Sequence, residues 1–288
     1  MRLRYFLFAA ALAIITNQAR AQGFSDTWMG VRDGLTVANP GGETGSRDVN
    51  KVILNFGHFD AWADGTNFFN VDALFSNPNE PALASAGGST EFYAVYRGQF
   101  SPDKIFGLNT KIGPISAINF EIGGDAETEN TAFAPEKRLL VVGPNFHFDL
   151  GAGFLNIGVH FSKEWNHNGF SSCPGSCGTG GAVSFSPAPE AEFVWLYSLK
   201  ALTAWPLTFQ GFMNIVGPKG KDGFGDQTYT EILAMPRLTL DLGTVMHWKP
   251  NKPDLFLAVE LWEHKFGNSD KLSGSEEVAP EIGIEYHF

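Results

Sequence analysis

Val278-Ala279-Pro280-Glu281-Ile282-Gly283-Ile284-Glu285-Tyr286-His287-Phe288 closes the chain, with apolar residues at the even positions and small, acidic or imidazole ones at the odd. Successive side chains of a strand point to opposite faces, so this stretch reads as a strand with one greasy and one polar face. The same period recurs upstream. Lys51 to Ala61 sets Val52, Leu54 and Phe56 against Asn55, Gly57 and Phe59, and Asn67 to Phe75 sets Phe69, Val71, Ala73 and Phe75 against Asn70 and Asp72. Glu91 to Phe100 gathers Glu91, Tyr93, Arg97 and Gln99 on its polar side. Pro114–Gly123 and Phe154–Glu164 alternate likewise, and Trp28–Val37, Arg138–Leu150, Glu190–Leu199, Leu207–Val216, Thr230–Val245 and Leu255–Phe266 complete a set of twelve predicted strands.

Alternation alone does not separate a soluble sandwich from a barrel in lipid, because both bury one face. The connectors favour the barrel. Those near 63–66, 149–151 and 249–253 are short, whereas those near 38–48, 76–89, 124–136, 165–187, 217–229 and 267–277 are long and rich in Gly, Ser, Asn and Pro. Short turns at one end and long loops at the other are the habit of transmembrane barrels. The expected fold is therefore an all-β, transmembrane antiparallel barrel of about twelve strands with both termini periplasmic. Ile282, Ile284, Tyr286 and Phe288 should meet lipid, while Glu281, Glu285 and His287 should face a lumen.

Residues 1–21 read as a cleaved secretory signal peptide: Arg2 and Arg4, an apolar run from Tyr5 to Ile15, then Ala19-Arg20-Ala21 as the small-residue site. The barrel is expected over 22–288. The leader holds three of the 20 basic residues and none of the 31 acidic ones, so the rest of the chain carries 17 basic against 31 acidic groups, a formal net charge of −14. So acidic a chain excludes nucleic acid as a partner, since that affinity comes mainly from phosphate neutralisation. No later segment reaches the roughly 20 apolar residues of a membrane helix. High glycine (33) and phenylalanine (26) agree with many strands and turns. Cys173 and Cys177 read as one local disulfide of an oxidising compartment rather than half a metal site; no metal or cofactor motif accompanies them.

If the apolar faces meet lipid, the polar faces line the lumen. Asp72, Glu91, Arg97, Glu121, Glu164, Glu192, Glu231, Arg237, Asp241, Glu260 and Glu281 are the inward ionisable candidates. Two arginines among so many acids imply that water or a polar solute shares the space, because buried unpaired carboxylates are costly. Phe59, Tyr93, Phe212, Phe256 and Trp262 also fall on polar faces. Rings there either fill the lumen, as in small barrels, or stack a planar solute such as a nucleobase, and periodicity leaves both open.

Glu91-Phe92-Tyr93-Ala94-Val95-Tyr96-Arg97-Gly98-Gln99-Phe100-Ser101-Pro102-Asp103-Lys104-Ile105 is similar to the acidic and aromatic strand, followed by Arg-x-Ser-x-Asp-Lys-Leu, of the Tsx-like nucleoside-specific channel-forming proteins of the outer membrane, with one extra residue between Arg97 and Ser101. Leu54-Asn55-Phe56-Gly57-His58-Phe59, in which Asn55 and Gly57 stand for acids, Lys163-Glu164-Trp165-Asn166-His167-Asn168-Gly169 and Gly283–Phe288 resemble further segments of that family. The resemblance implies a monomeric, passive, non-enzymatic, cofactor-free channel for nucleosides in the Gram-negative outer membrane. It puts Phe59, Glu91, Tyr93 and Arg97 in the solute path, to which the polar-face pattern adds Glu121, Phe256, Glu260 and Trp262. The aromatic end at Tyr286 and Phe288 resembles the closing strand by which outer-membrane proteins are handed to the barrel assembly machinery. The competing readings are a non-selective or structural barrel serving as a receptor, and an outer-membrane lipid hydrolase built on His160, Ser162 and Glu164.

Overall fold

A computed structural model describes residues 23–40, 46–81, 87–131, 135–168 and 181–288. The expected leader at 1–21 and the expected Cys173–Cys177 bridge lie outside these residues. The chain forms a closed antiparallel barrel. Its strands are β1 (Ser25–Asn39), β2 (Ser46–Trp62), β3 (Gly65–Ser76), β4 (Thr90–Phe100), β5 (Ala117–Glu129), β6 (Glu136–Asp149), β7 (Gly153–His167), β8 (Ala182–Ser184), β9 (Ala188–Ser198), β10 (Leu207–Val216), β11 (Glu231–Asp241), β12 (Pro253–Glu263) and β13 (Glu277–His287). β8 and β9 both pair with β7 and act as one stave broken at Phe185-Ser186-Pro187, where proline cannot donate to the ladder, so the wall has twelve staves. Neighbours in sequence are neighbours in space. The ring shuts where β1 meets β13, from Trp28 opposite His287 to Gly34 opposite Glu281.

All twelve predicted strands are present, with ends displaced by a few residues. The largest departure is β5, which runs on to Glu129 through what reads as the 124–136 loop. Asp125, Glu127 and Glu129 look like loop residues by composition, yet they keep the period of two and turn inward toward lumen cations. That connector shrinks to 130–135. At the other end of the predicted β11 segment, Leu242–Val245 are one turn of helix capped by Asp241, which accepts from the Thr244 amide at 2.9 Å. The two ends of the barrel are less sharply sorted than expected. The end that carries both termini has the brief turns at 63–64 and 150–152, but also the 101–116 connector with a short helix at Pro102–Phe106.

The wall is inverted relative to a soluble protein. Val52, Leu54 and Phe56 are exposed on β2 while Lys51, Ile53 and Asn55 between them are buried, and Ile282, Ile284 and Tyr286 are exposed on β13 while Glu281 and Glu285 are buried. An apolar outside around a charged inside is the polarity of a transmembrane barrel, whose closure leaves no unpaired strand edge in lipid. A shallow outer groove of about 470 Å³, lined mainly by Val31, Val52, Leu255, Ile282 and Ile284, suits an acyl chain rather than a polar solute. Near the terminus-bearing rim the outer face becomes polar. The Thr27 hydroxyl lies 2.7 Å from His58 Nδ1, Tyr96 donates to Asn67 at 2.9 Å, and Trp62 packs edge-on against Phe100. Amphipathic rings at this level mark the membrane interface. An arginine at Ile284, on the outer face of β13, should accordingly cost about 2–4 kcal/mol in a lipid-based refolding titration if that position lies near the bilayer midplane; a cost under about 0.5 kcal/mol would place it in water rather than lipid.

Candidate functional site

The lumen is where chemistry concentrates. Seven cations enter it among the described residues: Arg32, Lys51, Arg97, Lys137 and Arg237 from strands, and Lys219 and Lys265 from connectors that fold inward. Only Arg97 and Arg237 stand among the sequence candidates. Arg32 and Lys51 obey the same alternation and were legible in principle; Lys219 lies outside any strand, and Lys265, in the predicted segment Leu255–Phe266, sits on the side opposite Glu260 and Trp262 by the period but turns inward because β12 ends at Glu263.

Each of six cations takes an acid across or along the wall. Arg32 pairs with Asp72 at 2.8 Å and Glu281 at 3.0 Å, Lys51 with Glu91 at 2.9 Å, and Lys265 with Glu277 at 2.6 Å. Lys219 holds Glu164 at 2.7 Å and lies 3.5 Å from Glu231. Arg237 grips Glu285 with both guanidinium ends while its plane sits 3.8 Å from the Phe256 ring centre. The longest reach belongs to Arg97 on β4. It bonds Asp125 on β5 at 2.7 Å and Glu192 on β9 at 2.9 Å, with Glu121 at 3.6 Å, so it is a strut thrown across the lumen. Lys137 lies over the Tyr93 ring, 5.8 Å from its centre.

Glycines make room for these large inward groups. A methyl at Gly57 would come within 2.2 Å of the Trp28 indole, one at Gly158 within 2.3 Å of His160, and one at Gly283 within 2.3 Å of Phe256. Gly57, which the resemblance sets in place of an acid, is therefore a shelf for an indole whose N–H donates to Asn55 at 2.8 Å.

The expected solute-binding residues divide accordingly. Arg97 and Glu121 are buried, and Glu121 accepts from Gln99 at 2.9 Å and Asn145 at 2.8 Å. Phe256 is buried between Arg237 and Gly283, so neither ring face is free. Those three are engaged within the wall. Glu91, Tyr93, Phe59, Glu260 and Trp262 remain half-buried on the inner face. Tyr93 donates to Asp125 at 2.9 Å. Trp262 donates to Glu231 at 2.9 Å and carries Lys265 at 4.4 Å from its ring centre. Phe59 is not beside Tyr93: it faces Phe68, while Tyr93 faces Asp72 four residues further along β3, about 13 Å away along the strand. The residues of the hydrolase alternative are engaged elsewhere. His160, Ser162 and Glu164 do share the inner face, but the Ser162 hydroxyl donates to the Ala188 carbonyl at 3.3 Å and Glu164 belongs to Lys219.

Two of the rings that alternation put on polar faces, Phe212 and Trp262, belong to a patch of half-buried apolar side chains on one inner wall whose other members it did not single out. Val194, Phe212 and Met235 stand side by side across β9, β10 and β11, and Leu233 and Trp262 stand opposite each other on β11 and β12. In a lumen otherwise charged, this is an apolar strip flanked by Asn214 on the same strand as Phe212.

No profile of a known protein family matches the chain, and no curated protein matches it by sequence. Among solved structures, a KdgM porin in complex with disordered oligogalacturonate is similar at 9% identity and a TM-score of 0.43, over 92% of this chain and 99% of that one. The translocator domain of the autotransporter NalP from Neisseria meningitidis is similar at 11% identity and a TM-score of 0.46, over 99% and 96%. An outer membrane channel from Pseudomonas putida is similar at 10% identity and a TM-score of 0.46, over 94% and 98%.

Proposed function

We propose that this barrel sits in the bacterial outer membrane as a passive channel for small polar solutes with a flat apolar face, nucleosides being the class that fits best. The observation that carries this is the Val194–Phe212–Met235 strip. A plain ion pore has no use for half-exposed apolar side chains on its inner wall, whereas a sugar-bearing base can slide along them while Asn214, Glu91 and Lys137 meet its polar edges. The similarity of the Glu91–Ile105 segment to Tsx-like channels supports the same class. Both termini then lie on the periplasmic side, and the exposed Tyr286 and Phe288 rings, 5.5 Å apart, offer an aromatic end to the assembly machinery.

The test is ion current through the purified protein in planar bilayers, titrated with adenosine, thymidine and a sugar control. Adenosine and thymidine should reduce the current while the sugar does not. Stacking contributes roughly 1–3 kcal/mol per base on single-strand binding surfaces; the low end suits a channel that must release its solute. Phe212→Ala should therefore weaken nucleoside block about tenfold. Unchanged block in that variant, or none in the parent, overturns the nucleoside reading.

A further inference from the structure

Around Arg97 the charges of the lumen do not balance. Arg97 faces four carboxylates: Asp125 and Glu192, which it bonds, Glu121 at 3.6 Å, and Glu190, two residues from Glu192 on the inner face of β9. Glu190 is 3% exposed and its Oε2 has no hydrogen-bond partner among the described residues. The charged groups around it are Arg97, Glu192, Asp125 and Lys137, and Lys137 is itself shared with Glu164, Glu231 and Asp125. Across the ladder from Glu190 stands His160, whose two ring nitrogens make no hydrogen bond among the described residues, Nε2 lying 3.7 Å from Glu121.

A carboxylate shut away from water needs a counter-charge, because the field that water would screen is undiminished there. The protein supplies one full cation and a share of another for four acids. Such a surplus, held between low-dielectric walls, concentrates positive ions. No set of three or more His, Cys, Asp or Glu among the described residues is close enough to hold a metal ion.

We propose that Glu190, with Glu192 beside it, is a binding position for a permeating singly charged cation, either potassium stripped of part of its water shell or a protonated primary amine, and that it makes the channel cation-selective. This deepens the channel reading and rests on it. Neutral solutes and small cations pass, and acidic ones such as nucleotides or sugar acids are turned away.

Reversal potentials in a tenfold gradient of potassium chloride, repeated with methylammonium chloride, read this directly. The parent should prefer either cation over chloride about tenfold. Glu190→Gln is isosteric and takes no hydrogen bond away from Oε2, so its barrel should stay closed by heat-modifiable migration while the preference falls at least twofold. A parent ratio near one, or an unaltered ratio in Glu190→Gln, overturns the inference and leaves the channel standing, the second result showing Glu190 to be a neutral buried acid. Absence of any current overturns the channel reading itself, and this inference with it.

Discussion

Arg97→Met should destabilise the barrel by about 3–5 kcal/mol, the usual consequence of removing one partner from a buried charge cluster. Asp125 and Glu192 would lose bonds of 2.7 and 2.9 Å, and Glu121 its only nearby guanidinium, with the carboxylates left facing one another. Urea unfolding in detergent micelles measures this. The triple variant with Asp125→Asn and Glu192→Gln should recover at least half of the loss, because it removes the stranded charges as well as the cation. Recovery would separate electrostatics from lost packing around Gly123, on which the Arg97 stem rests. In bilayers the same triple variant should conduct more, since the strut between β4 and β9 is gone. A change under about 1 kcal/mol in Arg97→Met would show the cluster to be well hydrated.

The second large effect is expected at Lys219. This residue is 3% exposed, although it lies in the connector after β10. Its ammonium ties Glu164 on β7 and approaches Glu231 on β11, and its amide donates to Thr228 Oγ1 at 2.9 Å. One side chain thus pins the 217–230 connector inside the loop-bearing mouth. Lys219→Met should cost about 3 kcal/mol by taking from Glu164 the cation it bonds at 2.7 Å, and should raise amide exchange across Gly217–Thr228 with little change in β7. A faster-exchanging β7 instead would mean that Lys219 supports the wall rather than the connector.

How much of this is legible in the sequence depends on the range of the interaction. Strand identity is local: a period of two in Val278–Phe288 or Lys51–Ala61 fixes which side chains meet lipid, and the structure places Ile284 and Glu285 on the faces that the period assigns. The acidic run Asp125–Glu129 defeats composition, because charge suggests a loop when the polar side of a strand is the inside of a barrel. Partnerships are not local at all. Arg97 and Glu192 are 95 positions apart and meet only because the ring closes, and nothing near either residue announces the other. For the same reason Arg97, Glu121 and Phe256 look available to a solute from their strands alone, while ring closure consumes all three. Lys219 escapes period-based reading since it belongs to no strand, and Lys265 defeats it because the strand ends at Glu263, two residues short of it.

The pairing of bulky inward groups with glycine shelves has a consequence for how such a channel can change. Trp28 over Gly57, His160 over Gly158 and Phe256 over Gly283 store the bore of the channel in single side chains laid flat against a wall that has no side chain beneath them. Bore is therefore adjustable without altering strand number, tilt or register, the quantities that set the diameter of the backbone cylinder. Shortening Trp28 opens space while every ladder bond stays in place; adding even a methyl at Gly57 forces the indole off its seat. A lineage of such barrels can thus explore new cargo sizes by one-residue steps in the widening direction, while narrowing steps at the shelves meet a steric wall, so that divergence in cargo among its descendants should be biased toward larger solutes.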